Sequence, residues 1–306
     1  METAASTDFW RWQPHPEVWL LLAGIVVGAL YAVRVIGPKV VPAGEPVVTR
    51  AHVRWFALAM VALWIAADWP VHDIAEEYLY SVHMSQHLLL GFVIPPLLLL
   101  ATPEWLARLF VGSGRVARAF YVLARPVPAA VLFNGLALLL HWQVVVNASV
   151  DNGALHYALH VAVVTTGLLL WMPVCGPLPE RRVSPPAQML FLFVTSIVPT
   201  VPAAWLTFAE GAVYEAYDIP ARLWDITVTQ DQQAAGAIMK IIGGGLLWTV
   251  IAVRFFQWAR EQSAPSLPPA PSETAAPVEA TADTDDAVLT WDQVQAEFDA
   301  HPAPPG

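Results

Sequence analysis

Seven apolar stretches set the pattern of the chain, at about residues 17–37, 51–70, 83–102, 127–146, 155–173, 186–208 and 232–258. Each is close to the roughly 20 residues that a helix needs to cross about 30 Å of hydrocarbon at about 1.5 Å per residue. Short polar segments separate them. The pattern predicts an all-α polytopic membrane protein with seven transmembrane helices. It divides the chain into an N-terminal segment (1–16), a seven-helix domain (17–260) and a tail (261–306). Pro95-Pro96 in the third stretch and Pro199 and Pro202 in the sixth predict kinks, because proline lacks the N–H that continues the helical ladder.

Charge gives this layout a direction. Arg34, Lys39, Arg50 and Arg54 flank the first connection, Arg108, Arg115, Arg118 and Arg125 the third, Arg181 and Arg182 the fifth, and Arg254 and Arg260 end the last stretch. These are twelve of the fifteen basic residues, all on one side. The positive-inside rule then predicts an outer N-terminus and a cytoplasmic C-terminus. Acids gather in the opposite loops: Asp68, Asp73, Glu76 and Glu77 in one, Glu210, Glu215, Asp218, Asp225 and Asp231 in another. Trp69, Tyr80, Trp142, Tyr214 and Tyr217 fit an outer aromatic belt.

Composition supports the membrane class. The chain is 57% hydrophobic and only 13% charged, against about 25% charged in ordinary soluble domains. Its net charge of −10 is a property of the tail, which holds nine Asp and Glu and no Lys or Arg after Arg260. Rich in Pro, Ala and acid, residues 261–306 read as a disordered cytoplasmic tail. Nothing in the charge pattern suggests nucleic-acid binding. Cys175 is the single cysteine, so an internal disulfide and a cysteine-rich metal site are both excluded. Ahead of the first stretch there is no basic n-region or small-residue cleavage site, and that helix is expected to act as an uncleaved anchor. The sequence contains no phosphate-cradling glycine loop and no HExxH, and hydrolytic chemistry is not expected.

The candidate chemistry lies in the histidines. His83 and His87 are four apart at the start of the third helix, and His156 and His160 are four apart at the start of the fifth, which puts each pair on one helical face. His72 precedes the third helix and His141 ends the fourth. With alternating helix directions these six of the nine histidines fall at one depth, in the outer third of the membrane. Ionisable groups at membrane depth are functional-site candidates. Several imidazoles and a thioether suit soft or borderline metals: imidazole binds copper, zinc and iron, and thioether favours Cu(I). The predicted metal residues are therefore His83, His87, His156, His160 and Met239. His72, His141, Asp231 and Gln232 are predicted to support them, the last two as acceptors that orient ligand imidazoles. Met84 lies off the His83/His87 face and reads as packing. Gly236 and Gly243 are expected to let a neighbouring helix approach closely. Lys240 sits inside a span and is expected to pair with a carboxylate such as Asp231 or to reach outward. Paired histidines on neighbouring helices are also how transmembrane cytochromes hold haem iron, so a haem-binding electron carrier and a metal-free scaffold remain as alternatives.

Two motifs carry a resemblance. His83-Met84-Ser85-Gln86-His87-Leu88-Leu89-Leu90 resembles the HMxQHxLL signature of the CtaG family of cytochrome c oxidase assembly factors. Asp231-Gln232-Gln233-Ala234-Ala235-Gly236-Ala237-Ile238-Met239 resembles that family's DQxxAGxxM signature, and Leu155-His156-Tyr157-Ala158-Leu159-His160 resembles its histidine-bearing helix. The resemblance covers roughly residues 50–258. It implies a non-enzymatic role in maturing haem-copper oxidases in a bacterial cytoplasmic membrane, with copper handled at the outer face. Oxidase subunits and other copper chaperones are the implied partners, and His83, His87, Gln232 and Met239 the strongest site positions.

Overall fold

The computed structural model describes residues 10–220, 222–263 and 295–296. The predicted tail and the first nine residues of the predicted N-terminal segment lie outside them, apart from 261–263 and 295–296. The described residues of 10–263 are helical and turn-like, with no strand among them.

Ten helices organise this unit: α1 (Pro16–Val40), α2 (Arg50–Glu77), α3 (Tyr80–Ala101), α4 (Glu104–Val111), α5 (Arg115–Leu123), α6 (Pro126–Leu140), α7 (Gln143–Asp151), α8 (Gly153–Cys175), α9 (Pro185–Thr207) and α10 (Val228–Ser263). Six of these, α1, α2, α3, α8, α9 and α10, are long and apolar enough to cross a membrane alone. The bent pair α5 and α6, at 75°, makes up to a seventh. The protein is a multi-pass membrane protein. Its outward faces are apolar: Leu20 is 74% exposed, Phe110 77% and Ile241 72%. In water such surface would be a liability, whereas lipid is its natural solvent.

The fourth predicted span differs in detail. A single helix over 127–146 was the expectation, but α6 stops at Leu140 and α7 starts at Gln143. At 15 residues α6 is about 22 Å long, short of a full crossing. The break follows from local chemistry. Trp142 is extended, and the His141 and Trp142 amides tighten the last turn onto Leu138 and Leu139. The polar run through Asn147, Ser149 and Asp151 then has no reason to enter hydrocarbon.

Three helices contain a π-turn: Ala32–Ile36, Leu89–Val93 and Met239–Gly243. The first two precede Gly37-Pro38 and Ile94-Pro95-Pro96, where the missing proline N–H and the ring's clash with the preceding turn force the ladder to widen. The proline at 199 likewise divides α9 between Ile197 and Thr200.

Close helix approach depends on small residues, as it does where lipid supplies no hydrophobic drive between helices. A Cβ at Gly167 of α8 would stand 2.8 Å from the Gly91 carbonyl oxygen of α3. A Cβ at Gly236 of α10 would stand 2.6 Å from the Ala203 oxygen of α9, and one at Gly243 2.9 Å from Leu88 of α3. These contacts clamp α3 between α8 and α10, and α10 against α9.

Candidate metal centre

The site begins with how α3 starts. Asp231, buried at the head of α10, accepts hydrogen bonds from the amides of Tyr80 (2.6 Å) and Ser81 (3.0 Å). Those amides are otherwise unpaired at a helix N-terminus, and a carboxylate there is favoured by the helix dipole as well. The next residue, Gln232, accepts from the amides of Val213 (2.6 Å) and Tyr214 (3.1 Å) and donates to the Val228 carbonyl (2.9 Å). Neither side chain bonds an imidazole, contrary to the expectation from sequence. Both are committed to backbone: Asp231 fixes the start of the histidine helix, and Gln232 fixes the loop between α9 and α10.

From that anchored start, His83 and His87 face α8. Their rings lie 4.3 Å apart between centroids, and His87 is 5.0 Å from His160 of α8. His87 Nε2 and His160 Nε2 are 3.1 Å apart. One donor nitrogen from each of His83, His87 and His160 falls within 4.8 Å of the others. Two imidazole nitrogens on one tetrahedral metal at 2.0–2.1 Å would stand about 3.3–3.4 Å apart, close to the 3.1 Å between the His87 and His160 Nε2 atoms, while the three-donor set as a whole is more open. The buried Nδ1 of His83 has no hydrogen-bond partner among the described residues. Three imidazoles with no carboxylate in the set fit a soft or borderline cation.

His156 is next to this cluster, with its ring 4.2 Å from His160 and 5.5 Å from His83. Its Nε2 lies 2.8 Å from Glu76 Oε1, an ion-pair distance without hydrogen-bond geometry. The same carboxylate oxygen lies 3.2 Å from His72 Nε2. Glu76 thus stands close to both His72 and His156, and His156 is a neighbour of the cluster with a carboxylate beside its Nε2. Gln86, 1% exposed, donates to the Ala66 carbonyl and sits 3.3 Å from His72 Nδ1, completing the hold on that ring. Glu76 and Gln86 are contributors that the sequence reading passed over. The i,i+4 spacing of His72 and Glu76 was the available signal for the first.

His15 extends the series. Its Nε2 is 2.6 Å from Asp73 and its Nδ1 3.1 Å from Glu17, and its ring stands edge-on to His72 at 4.9 Å. Burial lowers the His15 pKa, but the hydrogen bonds and charges of Asp73 and Glu17 outweigh it and the net shift is upward. A proton held more tightly in the folded chain stabilises it fully below the free imidazole pKa of about 6.5, and that stability is lost as pH rises through the raised value. The thermal midpoint of the native chain should therefore exceed that of His15→Gln by most near about pH 5.5, with the gap narrowing toward about pH 9. A gap independent of pH in detergent-solubilised protein would remove the charged His15–Asp73 pair from the account.

The loop between α9 and α10 closes over the cluster. Tyr214 and Tyr217, assigned from sequence to an interfacial belt, are instead 0% and 3% exposed. Tyr214 donates to the His141 carbonyl (3.0 Å) and Tyr217 to the Ala75 carbonyl (3.2 Å). Burial pushes the Tyr214 hydroxyl pKa up to about 12, so it stays a neutral donor. Tyr80 stacks on His83 at 5.8 Å. Met84, read as packing, and Met239 both line a cavity together with His87 and His141. Lys240 donates to Thr200 Oγ1 at 2.6 Å, so its partner is a hydroxyl of α9 and not Asp231.

The profile of a family described as the cytochrome c oxidase caa3 assembly factor (Caa3_CtaG) matches residues 29–261, from within α1 almost to the end of α10. The chain belongs to this assembly-factor family. The match takes in every histidine discussed above except His15. Two curated relatives, both named only as uncharacterized proteins, come from Mycobacterium bovis and Mycobacterium tuberculosis. Each is 25% identical over 213 residues, covering 60% of this chain but 30% of the relative. The chain thus spans less than a third of the length of the curated relatives it matches. No solved structure matches it. The CtaG resemblance of the two signature motifs and the family match agree, and the motifs meet in space through the Asp231 contacts to α3.

Proposed function

We propose that this assembly factor is a non-enzymatic copper carrier that holds Cu(I) as cargo at the histidine-bearing end of the bundle and delivers it to a haem-copper oxidase. The observation that carries the reading is the buried set of His83, His87 and His160, with donor atoms within 4.8 Å, in a member of an oxidase assembly family. Imidazole suits copper, and the thioethers beside His87 favour its Cu(I) state. The clustering of basic residues on the opposite side supports placing the site at the outer face of a bacterial cytoplasmic membrane. Oxidase subunits are the receiving partners, and other copper chaperones the source.

The haem alternative is less well served. The cavities beside the imidazoles hold about 60 and 20 Å³, whereas pockets for drug-sized ligands run to about 300–1,000 Å³. His87 and His160 already approach to 3.1 Å, which suits a bare ion. The test is elemental analysis of detergent-purified full-length protein after anaerobic loading with Cu(I), with an absorption spectrum of the same sample. Retained copper at near one or more equivalents and no Soret band is the expected result. Iron with a Soret band would replace the reading with the haem carrier, and a chain that retains no metal after loading would leave it a scaffold.

A further inference from the structure

His87 lines two cavities. The smaller, about 20 Å³, also includes His83, His156 and His160. The larger, about 60 Å³, includes Met84, His141 and Met239. No carboxylate or ammonium group lines the larger cavity. Its polar members are His87, His141 and Thr166, and the Thr166 hydroxyl is already used, donating to the Ala162 carbonyl at 2.8 Å.

The state of His141 is fixed by its surroundings. Its Nδ1 lies 2.6 Å from the Ala137 carbonyl oxygen. A carbonyl oxygen can only accept, so Nδ1 carries the proton and Nε2 keeps a lone pair. His141 is 8% exposed, and its Nε2 is buried without a hydrogen-bond partner among the described residues. Buried polar atoms are rarely left so, and each exception calls for an explanation. An imidazole whose Nδ1–H is tied to a carbonyl while Nε2 stays free is the arrangement that metal-ligating histidines adopt. Across the cavity, Met239 is 6% exposed and begins the π-turn Met239–Gly243 of α10, and such turns frequently mark functional positions. Gly236, pressed against the Ala203 carbonyl one turn earlier, fixes how deep Met239 sits.

We propose that His141 Nε2 and the Met239 thioether, with His87 shared, form a second cargo position for a soft monovalent ion such as Cu(I), into which His87 passes the ion from the three-imidazole cluster. The inference rests on the copper reading for the identity of the cargo, and adds a second station and a direction of travel deeper into the bundle. An apolar wall with two thioethers, Met84 and Met239, and two neutral imidazoles selects a singly charged soft ion, because a doubly charged one would meet a far larger desolvation cost with no anion to offset it.

The experiment is an anaerobic Cu(I) titration of the detergent-purified full chain against a coloured chelator, with X-ray absorption of the loaded protein. The native chain should bind two coppers and show both nitrogen and sulfur scatterers. Met239→Leu and His141→Phe should each reduce this to one copper and remove the sulfur shell. Met239→Leu nearly conserves volume, so it folds even if His141→Phe does not. His83→Leu/His160→Leu should lose the other copper and keep the sulfur shell. One copper with nitrogen scatterers only in the native chain would overturn the second position and leave the cluster standing. Two coppers retained in Met239→Leu with an unchanged spectrum would overturn it as well. No copper in the native chain would overturn the carrier reading itself.

Discussion

Exchange of His83 and His87 together for leucine is expected to lower Cu(I) affinity at the cluster by at least about 100-fold, since loss of even an outer partner of a metal-ligating histidine costs about 10–100-fold. The double change removes two of the three donors and leaves His160 alone on α8. Leucine is the better test residue than alanine. His83 is 8% exposed and packs between Tyr80 and His160, so truncation to alanine would open a cavity and confound binding with stability. An apolar side chain of similar size fills the space and leaves no unpaired ring nitrogen, a replacement that can be nearly neutral. The readouts are copper per chain, the thermal midpoint, and oxidase activity in membranes of a deletion strain complemented with the variant. Copper and oxidase activity should fall together while the midpoint stays near that of the native chain. Copper affinity within about tenfold of native would mean that the cluster is not the cargo site.

Much of this architecture is visible in the sequence because membrane helices state themselves through length and hydropathy. Six spans and the bent pair correspond to the seven apolar stretches. The one clear departure, the break after Leu140, arises where backbone capping and a polar run outweigh hydropathy over a few residues. The histidine pairs were legible for a similar reason: a spacing of four fixes a shared face whatever surrounds it. Which nitrogen points where was not legible. His156 belongs to the same helical face as His160, yet its Nε2 lies beside a carboxylate, Glu76, and outside the three-donor set. That choice depends on how α2 ends, which no periodicity encodes. Asp231 and Gln232 show the same limit. Polar residues next to a histidine site invite assignment to the imidazoles, but backbone amides at a helix start and a loop make the stronger claim.

The histidines at this end of the bundle form a connected series. His15 and His72 meet edge-on, Glu76 joins His72 to His156, and His156 adjoins His160 in the cluster. His87 then faces the thioether cavity. Imidazole and carboxylate neighbours thus run from the N-terminal segment to the interior of the bundle without a gap wider than about one ring contact. On the proposed copper reading, the neighbouring imidazoles of this series are the groups between which a cargo ion exchanges ligands.

Asp231→Ala is expected to be the most damaging single change outside the donor set. Its carboxylate accepts from Tyr80 and Ser81 while 3% exposed, and alanine would leave the buried Tyr80 amide and the part-buried Ser81 amide without a partner. Each lost charge-assisted bond is worth about 1.5–3 kcal/mol, so the change should cost on the order of 3–6 kcal/mol if the two add. That is comparable with the whole stability of many domains, about 5–15 kcal/mol. The effect should reach the metal as well as the fold, because His83 is one turn below the anchored amides and its ring position depends on where α3 begins. Asp231→Asn keeps one acceptor oxygen in place and should lose roughly half as much stability. Thermal midpoints of the three proteins in one detergent, each with and without Cu(I), separate the two effects. The expected order is native, then asparagine, then alanine, with the copper-induced rise in midpoint shrinking along the series. If alanine proved as stable as the native chain, the join between the two signature motifs would not be what fixes the histidine helix, and Gly243 packed on Leu88 would have to carry that role alone.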